Sequence, residues 1–250
     1  MIKKVIFSLV LVFSFLSVAK ADRRTNPLKI LVAGQSNCHF AASTNVYSTS
    51  GHVWINRDYL VQSNFTRPTI TNQINHSKAM LKLGDLLWNQ YGVSSIFIMC
   101  SVGSTTSAQW AGGATNYWIR IATTAVVYKP DAILWIQGEG DTSLAVSSET
   151  YRVNLSSIVA NVRNYGVTAP IFIAIDSQGH YPPSYEQVRL GQYLTLRDAS
   201  LTNLIPGPDL DQIRTSIGNV YEAGYVHFYG NGFDYHAELW KKILAAHFRL

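Results

Sequence analysis

The chain has 250 residues, enough for one α/β domain with a large buried core. Charged residues make up only 14% of it, and no dense Lys/Arg run occurs, so the electrostatic footprint of a nucleic-acid binder is missing despite a formal net charge of +5. No segment beyond residue 21 is long and apolar enough to span a bilayer.

Residues 1–21 have the form of a secretory signal. Lys3 and Lys4 precede an apolar run over 5–18, and Ala19-Lys20-Ala21 supplies the small residues that signal peptidase accepts. The run is short for a spanning helix. The expectation is an exported protein, periplasmic or secreted, with residues 22–250 as a single domain and no stable membrane insertion after cleavage. Loss of Lys3, Lys4 and Lys20 would leave 17 basic against 15 acidic residues, a net charge of +2.

Residues 29–33 (KILVA) form a short apolar run that stops at Gly34, which predicts a buried strand. Residues 41–75 are polar and predict a long loop, a length that is often functional. Helical spacing over 77–91 places Ala79, Met80, Leu83, Leu86 and Leu87 on one face, and 95–100 is the next strand. A helix over 117–127, a strand over 132–136, a helix over 148–165 and a strand over 170–175 follow. A helix over 184–197, a short fifth strand at 203–205 and a closing helix over 231–248 complete the pattern. Alternation of this kind predicts a three-layer α/β/α sandwich, flavodoxin-like, around a mostly parallel five-stranded sheet. Chemistry in such folds sits at the carboxyl ends of the strands.

Three polar segments follow strands directly. Gly34-Gln35-Ser36-Asn37 follows the first; a serine there would stand at the sheet end, among turn N–H groups able to face an oxyanion. Ser101-Val102-Gly103-Ser104-Thr105 follows the second, and its glycine could turn an N–H toward the same point. Trp135-Ile136-Gln137-Gly138-Glu139-Gly140-Asp141 ends the third, where buried polar groups need partners or a task. Helix capping is the plain reading of Asp141. A fourth segment, Val226-His227-Phe228, precedes the last helix.

These four segments, in this order, resemble the SGNH (GDSL-like) hydrolase superfamily. More narrowly, they are similar to its carbohydrate-esterase branch, with sialate O-acetylesterases and the acetylxylan esterases of carbohydrate esterase family 6. Val188-Arg189-Leu190-Gly191-Gln192 resembles a further stretch found between the last two blocks. The resemblance implies Ser36 as nucleophile and His227 as general base, then acid. It implies an oxyanion hole of the Ser36 N–H, the Gly103 N–H and the Gln137 side-chain amide. The superfamily carries an Asp three residues before the histidine; this chain has Gly224 there. Glu139 is the leading substitute as the group orienting His227, with a backbone carbonyl or the off-register Glu222 as alternatives.

The implied activity is removal of short acyl groups, O-acetyl foremost, from a carbohydrate through an acyl-enzyme, with no metal or organic cofactor. A lipid esterase or an acyltransferase on the same scaffold is the alternative. A binding protein without catalysis, suggested by Gly224, is a reading of another class. His236, beside Asp234, is the rival base. His39 is a candidate to line the pocket, while His180 lies in a Gly/Pro loop. Trp54, Tyr59, Trp110, Tyr117 and Trp118 are candidates to stack on a sugar face, although core packing is the commoner use of tryptophan. Cys38 and Cys100 each follow a strand end; a disulfide and two buried thiols are both open. The sequence sets neither the oligomeric state nor the sugar.

Overall fold

A computed structural model describes residues 25–39, 48–56, 65–66, 77–112, 115–177, 185–213 and 226–250. The segment 1–21 expected to be a signal, Tyr59, His180, Glu222 and Gly224 lie outside them.

Among the described residues, strands β1 (Leu28–Gly34), β2 (Val53–Asn56), β3 (Phe65–Thr66), β4 (Ser95–Met99), β5 (Ala132–Ile136), β6 (Ile171–Ile175) and β7 (Leu204–Asp209) form one sheet. Its order is β3-β2-β4-β1-β5-β6-β7. All neighbours are parallel except β2 and β3. The five expected strands stand in the flavodoxin-like order, and the sheet gains two. β2 and β3 arise from the stretch expected to be loop. Val53 and Ile55 are buried at this edge, but four residues ending in Asn carry too little apolar pattern to announce a strand. β7 runs on through Pro206-Gly207-Pro208; an edge strand tolerates proline because its outer N–H groups have no ladder partner.

Alternate residues of the central strands feed two cores. Leu28, Ile30 and Val32 of β1 join Leu134 of β5 and Phe172 of β6 on one face. There they meet α1 (Lys78–Tyr91) and a closing helix, α7 (Gly232–Phe248). Leu31, Ile133 and Ile173 point the other way. That face is covered by α2 (Ser107–Ala111), α3 (Trp118–Tyr128), α5 (Ser148–Asn164) and α6 (Tyr185–Leu196). Each such side chain taken fully out of water contributes about 1.5–3 kcal/mol. Cys38 packs in the first core and Cys100 in the second. Both thiols are free, and the sheet separates them. Burial raises the pKa of each, so neither is an activated thiol.

α1 starts at Ser77, whose hydroxyl accepts from Met80 N at 3.3 Å, and stops at Gly92 in the left-handed region. Lys82 of α1 pairs with Asp234 of α7 across the shared face. Register then brings the active strand ends level: Gly34 pairs with Ile136, and Val32 with Met99. The ends of β1, β4 and β5 thus open at one point, where the strand order reverses. No helix among the described residues is long and apolar enough to cross a membrane.

Candidate active site

β1 ends at Gly34 with φ +127, and a Cβ there would lie 1.9 Å from Ile136 O. Glycine alone fits, and the tight approach lets Gln35 N donate to Ile136 O at 3.0 Å. The chain then winds into a single 3-10 turn, Ser36–Cys38, closed by His39 N donating to Ser36 O at 2.9 Å. The first N–H groups of such a turn have no partner within it. Ser36 is half-buried at the head of the turn.

His227 approaches from the other end of the sequence. Its neighbour Phe228 is buried in the first core, with its ring 5.0 Å from that of His236. Phe228 anchors the segment, and His227 lines the cleft. The His227 Nε2 lies 2.8 Å from Ser36 Oγ, within reach for proton transfer. Asn37 clamps the segment on both sides. Its Nδ2 donates to Val226 O at 3.0 Å, and its Oδ1 accepts from Phe228 N at 3.4 Å. These backbone partners fix which end of the amide is which.

Asn37 Nδ2 also donates to Glu139 Oε1. Glu139 therefore reaches the histidine segment through Asn37. Its Oε2 and Asp176 Oδ2 are buried with no N–H or hydroxyl donor from another residue, and the two carboxyls hydrogen-bond to each other. Burial raises both carboxyls well above the usual carboxylate range, and the charge of Glu139 pushes Asp176 further up. Two buried carboxyls side by side share a proton more readily than both ionise. Beyond them, Asp211 accepts from Ser177 N at 3.1 Å and from Arg189 Nη1 at 2.6 Å. Arg189 also grips Asp209 through two bonds of 2.8 Å, which ties α6 to β7.

Gln137 is fully buried beneath the cleft. Its Nε2 donates to Asp141 Oδ2 at 2.7 Å, Thr105 O at 3.0 Å and Gln35 Oε1 at 3.1 Å. Asp141 lies inside a short helix, α4 (Glu139–Ser143), and so does not cap its own helix. Its carboxylate instead receives Ser107 N at 2.9 Å and Ser107 Oγ at 2.5 Å at the start of α2. Gln192, from the Val-Arg-Leu-Gly-Gln stretch, donates to Gln137 O at 3.0 Å and Asp176 O at 2.9 Å. It links the ends of β5 and β6.

An open cleft of roughly 440 Å³ covers the Ser36–His227 pair. Gln35, Ser104, Thr106, Glu139, Gly140, Ser143, Leu144 and Val226 complete its lining. Gly103 is exposed in the same loop as Ser104, with the His39 ring 3.6 Å from where its Cβ would be. His39 Nδ1 sits 2.8 Å from Ser101 Oγ, and burial, then the neighbouring His227, lowers its pKa. The described aromatic candidates, Trp54, Trp110, Tyr117 and Trp118, do not line the cleft. Trp110 is wholly buried, 5.3 Å from the ring of Trp135. His236 is wholly buried as well and accepts Trp240 Nε1–H on its Nε2 at 3.1 Å. Burial lowers its pKa to about 3. Among the described residues no group of His, Cys, Asp and Glu could hold a metal ion.

Gln35, Asn37, Asp176 and Asp211 are site residues with no role legible in the sequence. Gln35 and Asn37 flank the serine, and that position was the one available signal. The two aspartates are brought in by pairing of β6 and β7, which no local pattern encodes.

A family model described as carbohydrate esterase, sialic acid-specific acetylesterase, matches residues 77–211, just over half of the chain. The match takes in Gln137, Glu139, Arg189 and Gln192, and neither Ser36 nor His227. No curated protein matches the sequence. Among solved structures, a carbohydrate acetylesterase from Xanthomonas citri is similar, with TM-score 0.59 and 14% identity over 84% of this chain and 54% of its own. The chain thus spans about half the length of that protein. A family 3 carbohydrate esterase from Clostridium thermocellum gives 0.60 and 15% over 89% and 98%. A lipase/acylhydrolase from Enterococcus faecalis gives 0.58 and 14% over 88% and 96%. Likeness at this identity establishes the shared α/β/α hydrolase fold.

Proposed function

The chain belongs to the carbohydrate esterases of the sialic acid-specific acetylesterase family, and from that premise we propose that it removes short acyl groups, O-acetyl foremost, from a carbohydrate through an acyl-enzyme on Ser36. The observation that carries this reading is the 2.8 Å contact of Ser36 Oγ with His227 Nε2 on the floor of an open cleft.

Ser36 Oγ attacks the acyl carbon while His227 Nε2 takes its proton. The oxyanion that forms meets the Ser36 and Gly103 N–H groups, and His227 returns the proton to the departing sugar hydroxyl. Water then enters by the same route and releases the acid. Asn37 holds the His227 segment in register with the serine, and Glu139 positions Asn37. On this reading the arrangement steadies His227 in a chain that carries Gly224 at the superfamily's Asp position. Hydroxyls of Ser104, Thr106 and Ser143 around the cleft suit a polyol, and Leu144 and Val226 supply its apolar lining. That lining suits a short acyl chain better than a lipid, since each buried CH₂ needs apolar surface worth about 0.8 kcal/mol.

Residues 1–21 direct export and are removed on this reading, which N-terminal sequencing of protein recovered outside the cytoplasm would test. The activity itself is tested with p-nitrophenyl acetate and O-acetylated saccharides. Acetate release by the wild type, lost in Ser36→Ala, is expected. A folded wild type that turns over no short-chain ester, or only acyl chains beyond about eight carbons, overturns it. Acyl transfer to a sugar in excess of hydrolysis would assign a transferase instead.

A further inference from the structure

Gln35 is 2% exposed, yet it lines the cleft beside Ser36. Its Oε1 accepts from Gly140 N at 3.0 Å, Gly138 N at 3.4 Å and Gln137 Nε2 at 3.1 Å. Backbone N–H groups can only donate, so the oxygen and nitrogen of this amide cannot be exchanged. Gly140 makes the approach possible: a Cβ there would lie 2.4 Å from Thr105 O and 3.4 Å from Gln35 Oε1. With the oxygen turned inward, the NH₂ group is what Gln35 has left for the cleft. It bonds to no acceptor among the described residues, and it is not among the buried unpartnered atoms.

Gln137 is the reverse case. Its amide nitrogen has two hydrogens and three acceptors within 3.1 Å, one of them the Asp141 carboxylate. The carboxylate and the Thr105 carbonyl fix the orientation, since both can only accept. Swinging this nitrogen to a substrate would leave a buried carboxylate oxygen and a buried carbonyl underpaired.

We infer that Gln35 Nε2 is the side-chain donor to the acyl carbonyl oxygen as it becomes an oxyanion, the role that the family resemblance implies for Gln137. The inference rests on the proposed ester hydrolysis at Ser36. As Ser36 Oγ bonds to the acyl carbon, its proton passes to His227 and the carbonyl π pair moves onto oxygen. That oxygen gathers the Gln35 N–H with the Ser36 and Gly103 N–H groups. On collapse the pair returns, the bond to the leaving alcohol breaks, and the alcohol oxygen takes the proton from His227. Gln137 and Asp141 act one step back. The Gly140 and Gly138 N–H donors on Gln35 Oε1 polarise its N–H bonds, as in any hydrogen-bond chain.

Gln35→Glu keeps an oxygen for Gly138 and Gly140 and replaces the donor by a second oxygen. The expected result with p-nitrophenyl acetate is a fall in kcat of about 10²–10³-fold. KM should change by less than about threefold and Tm should be near that of the wild type. Retention of kcat within about threefold overturns the inference. So does a loss carried by KM and Tm together, which is the mark of a structural role. A wild-type readout stands beside the variant: the structure of the protein after reaction with a diethyl phosphate ester. Gln35 Nε2 on the phosphoryl oxygen supports the inference, and Gln137 Nε2 there refutes it. Failure of the underlying reading looks different, since the wild type would then neither turn over ester nor take the label.

Discussion

Beneath Ser36 the ends of β1, β5 and β6 are cross-linked by Gln35, Gln137, Asp141 and Gln192 into a buried platform, each amide meeting more than one partner. The segment carrying His227 is held differently. Asn37 grips it from both sides, and Phe228 plugs it into the core. The serine side is thus fixed by the sheet, and among the described residues the histidine side is held by the Asn37 amide and the Phe228 ring. Damage to the platform should cost stability first, and damage to the clamp should cost activity first.

The largest effect is expected at the base itself. His227→Ala should lower kcat by about 10⁴-fold in the folded protein, while His236→Phe should leave kcat within about threefold. Steady-state kinetics on p-nitrophenyl acetate decides between the two histidines. If His236→Phe loses activity and His227→Ala keeps it, the roles are reversed.

Next comes the platform. Gln137→Ala strips a partner from Gln35 Oε1, Thr105 O and the Asp141 carboxylate, all beneath the cleft. A cost of about 3 kcal/mol in urea-unfolding free energy is expected. A loss below about 1 kcal/mol would mean that the platform is not what holds the serine side.

The clamp follows. Asn37→Ala should lower kcat by roughly 10–100-fold, equivalent to about 1.4–2.7 kcal/mol, with little change in Tm. Glu139→Gln still offers Asn37 an acceptor, so its cost should stay below about tenfold. A direct triad acid would cost about 10⁴-fold on loss of its charge. Equal kcat for Glu139→Gln and His227→Ala would therefore place Glu139 on the histidine ring itself.

Read per pH unit, the smallest effect is a pH slope under the clamp. His236 is buried neutral, with its pKa lowered to about 3. An unfolded chain binds that proton near pH 6.5, so stability is lost as pH falls from there toward 3. The slope from this group is at most about 1.4 kcal/mol per pH unit. Glu139 and Asp176 act in the opposite sense. Their raised values favour the fold at low pH, and that contribution is lost as pH rises above the ordinary carboxylate range. Urea titrations at several pH values should show the acid loss shrinking in His236→Phe. An unchanged acid limb would contradict the burial account of His236.

The sequence carries its information unevenly. β1, β4, β5 and β6 are legible because strands buried on both faces read as unbroken apolar runs. β2 and β3 are not, being short and set in polar sequence. α2 left a readable trace in Thr106 and Gln109, the Thr-x-x-Gln of a capping box. α4, only five residues long, takes its form from Asp141 bonding to the start of α2 and Gly140 packing onto Thr105. Ser36 and His227 are legible as residues, and their 2.8 Å approach is not, because 191 positions separate them. The two glutamines are the sharpest case. Both stand at strand ends and both carry an amide. Which one faces the cleft depends on backbone N–H groups that only the assembled sheet brings within reach.

Intact and peptide mass measurement after treatment with a fluorophosphonate tests the central claim most directly. The account predicts one phosphonyl group on the wild type, carried by the peptide that contains Ser36. Labelling should slow by at least about 10³-fold in His227→Ala and continue in His236→Phe. A folded wild type that stays unlabelled, or carries the group on any other residue, would contradict it.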